Sequence, residues 1–116
     1  MTPKIAEEKR LTDPQIRVRS IVENIIRCKW SLSVLDAVRN GINRPGAIQR
    51  TIDGLTTKVM NERLRKLVRF GILRRISYPE VPPRVEYQFT DFGKKFLALL
   101  DQIEQLETDL ENELRG

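Results

Sequence analysis

Residues 56–70, TTKVMNERLRKLVRF, decide the fold. At about 100° per residue, Met60, Leu64, Leu67 and Val68 share one arc roughly 100° wide, a core-facing stripe. Lys58, Asn61, Glu62, Arg65 and Arg69 project from the other side. Thr56 or Thr57 can cap the N-terminus. Gly71 follows the last periodic residue, where the left-handed C-cap conformation favours glycine. A helix bearing short polar and amide side chains, with cations behind them, suits a DNA major groove: the first group for base edges, the second for phosphates. Cationic faces are also common on ordinary solvated helices, so the neighbouring sequence has to decide.

The charge distribution supports a polyanionic partner. The chain of 116 residues carries a net +5. Residues 44–75 hold nine Lys or Arg against two acids, a local +7, whereas residues 91–116 hold three against seven, a local −4. The basic stretch surrounds the candidate reading helix and the acidic end should stay clear of a polyanion. The length fits one domain, large enough for a core and small enough to gain from a partner subunit. Residues 1–12 read as a mobile tail and 13–116 as the winged domain.

Composition removes several classes. There is no histidine, the commonest catalytic base and metal ligand, and the single Cys28 cannot close an intramolecular disulfide. No phosphate-cradling glycine loop is present, and no serine or cysteine stands beside a plausible base, so an enzyme is not expected and neither cofactor nor metal is implied. No run of about 18 apolar residues occurs and MTPKIAEEKR lacks the apolar core of a signal peptide. The expected location is the cytoplasm, on the nucleoid when bound to DNA, with no membrane partner.

Outward from the reading helix the pattern is consistent. Asp13 and Pro14 look like the opening of a helix over 14–27, with Val18, Ile21, Val22, Ile25 and Ile26 as its apolar stripe. A second helix runs from residue 30 or 31 to 39 and ends at Asn40-Gly41. Asn43 is placed to cap a short helix starting at Pro45, with Ala47, Ile48 and Ile52 inward, and Asp53-Gly54 turns into residues 56–70. Two helices joined by a short glycine-containing turn form a helix-turn-helix. Residues 73–78 and 85–89 read as strands around a proline-rich loop that carries Arg84 near its tip. The fold expected is α+β, mainly α: a winged helix-turn-helix with flanking N- and C-terminal dimerisation helices.

The stretches CKWSLSVL (28–35) and GLTTKVM (54–60), then Arg63-Leu64, Leu67, Gly71-Ile72-Leu73, and above all YPEVPPRVEY (78–87) followed by Thr90 and Gly93, resemble the HxlR-type family of bacterial and archaeal transcriptional regulators. The resemblance covers about residues 17–110. It implies a dimeric winged-helix protein, related in architecture to MarR-like regulators, that binds operator DNA and controls a nearby gene. Some members carry a sensing cysteine about a dozen residues before the tryptophan, where this chain has Arg17, Val18 and Arg19. Cys28 stands where the family usually has glycine, and its reading is a structural thiol first and a redox sensor second. Pro45 replaces the family's usual aromatic.

Thr90 is a plausible cap for a last helix in which Phe92, Phe96, Leu99, Ile103, Leu106 and Leu110 recur at steps of four and three. So long a stripe is expected to be a dimer seam, joined by Ile21 and Ile25 of the first helix. A crevice between these helices and the winged domain would leave room for a small-molecule effector that no polar constellation identifies. The expected DNA partner is double-stranded: Thr56, Thr57, Lys58, Asn61, Glu62 and Arg65 are candidates for base edges, and Lys58, Arg63, Arg65, Arg69, Arg74, Arg75 and Arg84 for phosphates. A two-fold dimer predicts a pseudo-palindrome with half-sites ~10 bp apart or a multiple of that. The competing reading is a low-specificity protein that coats or shapes DNA.

Overall fold

The computed structural model describes residues 17–116. In chain order these form α1 (Val18–Arg27), α2 (Lys29–Arg39), α3 (Pro45–Thr51), α4 (Thr57–Arg69), β1 (Leu73–Tyr78), β2 (Arg84–Phe89) and α5 (Asp91–Arg115). Asp13 and Pro14, expected to open the first helix, lie outside the described residues, as does the expected tail over 1–12.

The core gathers one stripe from each helix. Ile21 and Ile25 of α1, Val34, Leu35 and Val38 of α2, Ile48 of α3, and Met60, Leu64, Leu67 and Val68 of α4 are all buried together. Leu73, Tyr87, Phe96 and Leu100 close it from the strands and from α5. Ile21, Ile25 and Phe96 are therefore corrected as dimer-seam residues: at 3%, 0% and 2% exposure they have no surface left for a partner to cover.

Two helices end on glycines with positive φ. Gly71 (φ 76) follows α4, where its N–H donates to the Val68 carbonyl at 2.9 Å and that of Ile72 to Leu67 at 3.0 Å. Gly41 (φ 85) closes α2 by the same pair of bonds, to Val38 and Ala37. Only glycine takes this left-handed position without strain.

The strands pair antiparallel with Leu73 opposite Phe89 and Tyr78 opposite Arg84. The Tyr87 N–H also donates to the Asn43 carbonyl at 2.9 Å, fastening the hairpin to the segment that leads into α3. This corrects the capping role expected of Asn43. Arg44 is the N-cap of α3, with no side-chain cap, because Pro45 at the first helical position already removes one of the N–H groups that a cap would satisfy.

The start of α5 is built on the end of α4. Thr90 accepts from the Gly93 N–H at 2.8 Å, its hydroxyl donates to the Gly71 carbonyl, and its N–H donates to the Ile72 carbonyl at 3.1 Å. From there α5 runs 25 residues, about 37 Å at 1.5 Å per residue. Its first three turns pack on the domain, and every residue after Ile103 is exposed.

Candidate nucleic-acid interface

The turn before α4 is pinned on both sides. Gly54 (φ 81) passes over the Trp30 ring, so close that an added Cβ would stand 3.5 Å from it. Gln49 of α3 donates to the Leu55 carbonyl at 3.5 Å and accepts from the Thr57 hydroxyl at 3.0 Å. Thr56 caps α4, accepting from the Val59 N–H at 3.2 Å. Both threonines nominated for base edges thus spend a side-chain bond inside the motif, shaping the turn.

The free face of α4 is Lys58, Asn61, Glu62, Arg65 and Arg69, all exposed, opposite the buried Met60, Leu64, Leu67 and Val68. Arg63 is not part of it. It is half-buried, its Nε has no hydrogen-bond partner among the described residues, and its charge acts on Cys28. One position of phase separates it from that face, and the sequence count of cations could not resolve so small a difference.

Residue alternation gives the wing two chemically different faces. One carries Arg74, Ile76 and Tyr78 with Gln88, Glu86 and Arg84. Here Arg74 donates to Gln88 (3.2 Å), and Arg84 pairs with Glu80 (2.9 Å) and Glu86 (3.5 Å) while its guanidinium lies 3.8 Å above the Tyr78 ring. Arg44 joins from the start of α3 through Glu86 at 3.5 Å, and the Tyr78 hydroxyl donates to the same carboxylate. Arg84, expected near the loop tip, is instead the first residue of β2, with a carboxylate on each side of its guanidinium. The signal was available: Glu86 lies two residues along the same strand, on the same face.

The other face carries Leu73, Arg75 and Ser77 with Phe89, Tyr87 and Val85. Arg75 donates to the Ser77 hydroxyl at 2.9 Å and meets no carboxylate within ion-pair distance among the described residues. Between this face and α4 lies a notch of about 330 Å³ lined by Pro45, Asn61, Arg65, Val68, Arg75, Val85 and Tyr87.

Away from this surface, a cleft of about 700 Å³ separates α2 from α5, walled by Ile26, Leu32, Leu35, Leu97, Leu100 and Ile103. Arg39 and Asp101 bridge it at 2.8 Å. Beyond it the seam on α5 is open: Leu99, Leu106, Leu110 and Leu114 are 39%, 66%, 56% and 79% exposed. Phe92 and Ile103 are half-buried against the chain's own core. Val18 and Ile26, on the apolar stripe of α1, are exposed as well.

Cys28 is half-buried where α1 ends and α2 begins. Burial pushes its thiol pKa up, but the backbone N–H groups of Ser31 and Trp30, the Ser31 hydroxyl and the charge of Arg63 outweigh that and hold it below the ordinary value. No group of three metal-ligating side chains occurs among the described residues, and no helix among them is long and apolar enough to cross a membrane.

A capped amphipathic helix held across a short turn from α3 and flanked by a β-hairpin defines a winged helix-turn-helix protein. The family described as HxlR-like helix-turn-helix matches residues 25–114. An HTH-type transcriptional regulator of Synechocystis is 39% identical over 88 residues, 76% of this chain and 65% of that protein. The HTH-type regulator YtfH of Escherichia coli K12 is 35% identical over 102 residues, 84% of this chain and 80% of that protein. Among solved structures, a MarR-family transcriptional regulator from Enterococcus faecalis V583 superposes with a TM-score of 0.69 at 31% identity, covering 90% of this chain and 99% of that one. The chain belongs to the HxlR-like helix-turn-helix family of DNA-binding transcriptional regulators.

Proposed function

We propose that this regulator binds a pseudo-palindromic operator as a homodimer, with α4 of each protomer in the major groove and the wing against the flanking backbone. The observation that carries the reading is the outward face of α4: Lys58, Asn61, Glu62, Arg65 and Arg69 stand exposed on a helix whose other side is locked in the core. Asn61 supplies an amide able to pair with adenine, and the cations supply a salt-dependent attraction to phosphates.

The homodimer is supported by the open seam of α5. Leu106, Leu110 and Leu114 recur on one side of a helix that leaves its own domain behind, and a stripe of that kind is unfavourable in water until a second apolar surface meets it. Two-fold symmetry then places two reading helices about one DNA turn apart, or a multiple of that.

Selection of bound fragments from a random DNA pool, at a fixed near-physiological salt concentration, tests this directly. A pseudo-palindromic consensus bound ~10³-fold or more above bulk DNA is the expected outcome. Uniform binding without a consensus would leave the electrostatic attraction alone and favour a protein that coats or shapes DNA.

A further inference from the structure

A helix lying in the major groove and a wing reaching past the groove edge must straddle what separates the two grooves of B-DNA, the ridge of sugar and phosphate. In this protein the space between those two elements is the notch between α4 and β1. It is lined by the side chains of Asn61, Arg65 and Val68 from the helix, Arg75, Val85 and Tyr87 from the hairpin, and Pro45 from the start of α3. Among the described residues no carboxylate lines it.

The two arginines differ from the other cations near the wing in how they are paired. Arg84 is held by Glu80, Glu86 and the Tyr78 ring, and Arg44 by Glu86. A phosphate approaching either would also approach those carboxylates. Arg75 is fixed by the Ser77 hydroxyl, a neutral partner that orients the guanidinium without cancelling its charge. Arg65 meets no carboxylate within ion-pair distance among the described residues. A planar guanidinium fork suits two oxygens of one phosphate, and the Val68 and Val85 side chains beside the two arginines offer that phosphate no competing acceptor.

We infer that the notch between α4 and the wing seats one backbone phosphodiester of each half-site, gripped by Arg65 from the helix and Arg75 from β1. Arg65 is thereby an anchor and not a base reader, and Arg84 is a strut inside the wing and not a DNA contact. This rests on the operator-binding reading above and specifies which cations carry its electrostatic part.

The test is the affinity of the full chain for a 30-bp duplex of random sequence, followed by fluorescence anisotropy across a salt series. Arg65→Gln and Arg75→Gln should each lower affinity, and the two combined should flatten the slope of log affinity against log salt by about 0.9 per protomer bound, because the one phosphate they share is no longer neutralised. Arg75→Lys, which keeps the charge, should keep the slope while lowering affinity. Lys95→Gln, on the exposed side of α5, serves as the control and should leave the slope where it is. Arg84→Gln should match that control. A wild-type protein that binds while the combined Arg65→Gln, Arg75→Gln variant retains the full slope, or an Arg84→Gln that flattens it as that double variant was expected to, overturns the notch assignment alone. A wild-type protein with no salt-dependent affinity for duplex DNA overturns the DNA-binding reading and the notch together.

Discussion

The backbone of Gly93 lies directly against the carbonyl group of Ile72. A Cβ at position 93 would stand 2.9 Å from the Ile72 carbonyl carbon and closer still to its oxygen, and the obstacle is main chain, which cannot rotate away as a side chain would. The first turn of α5 can therefore sit on the α4–β1 junction only because residue 93 has no side chain. Gly93→Ala should destabilise the fold by ~1–3 kcal/mol or more, through forced displacement of α5. Denaturant unfolding compared with Lys94→Ala, an exposed neighbour, measures it; equal midpoints for the two variants would refute the contact.

Asn61 carries the prediction for base reading. Its amide is exposed on α4, one helical turn after the capped start. Asn61→Ala should weaken binding to the selected operator by ~1–3 kcal/mol and leave random duplexes nearly unaffected. Parallel titrations with both duplexes read the ratio, and an unchanged ratio would move base recognition to another face.

The open part of the seam predicts how the assembly can be broken without unfolding the protomer. Leu106 and Leu110 are more than half exposed and make no contribution to the core of the single chain. Leu106→Glu with Leu110→Glu should give a folded monomer by sedimentation and circular dichroism, with operator affinity sharply reduced. An intact dimer would place the interface elsewhere. Position 103 is a poorer choice for such a test, since Ile103 packs partly against the chain's own core.

Cys28 predicts a pH profile. Its pKa lies below the ordinary thiol value, so the folded state binds that proton more weakly than the unfolded chain. The associated stabilisation is present above the unfolded thiol pKa and is lost as the pH falls through the folded one. Alkylation by iodoacetamide should show a midpoint below that of a free thiol, and Arg63→Gln should move it upward by removing the nearby positive charge. A midpoint indifferent to Arg63→Gln would exclude that charge as a cause.

The elements legible in the sequence were those with strong periodicity and punctuation. Residues 56–70 gave α4 almost to the residue because a four-member stripe, a threonine cap and Gly71 agree about its ends. The YPEVPPRVEY stretch gave the wing, since its prolines can occupy only the loop between strands. The seam of α5 was less legible because a heptad cannot say where its partner changes. Phe96 and Leu100 meet the chain's own core, whereas Leu106 and Leu110, on the same helix, meet nothing in it. Within the interface, counting cations located the basic surface but could not sort it. Whether Arg84 or Arg75 is available depends on which strand face each occupies and which carboxylates share that face.

Thr90 ties the carbonyls of residues 71 and 72, which close the reading helix, to the first turn of α5. A shaft of about 37 Å is thus welded at its base to the end of α4. Because the joint combines a backbone bond from Thr90 to Ile72 with two made by the Thr90 hydroxyl, and the Gly93–Ile72 contact lies beside it, it has little room to act as a hinge. In the proposed homodimer the angle at which two such shafts cross would aim both heads at once, and the separation of the half-sites would be set by leucines far along α5 from the reading helix.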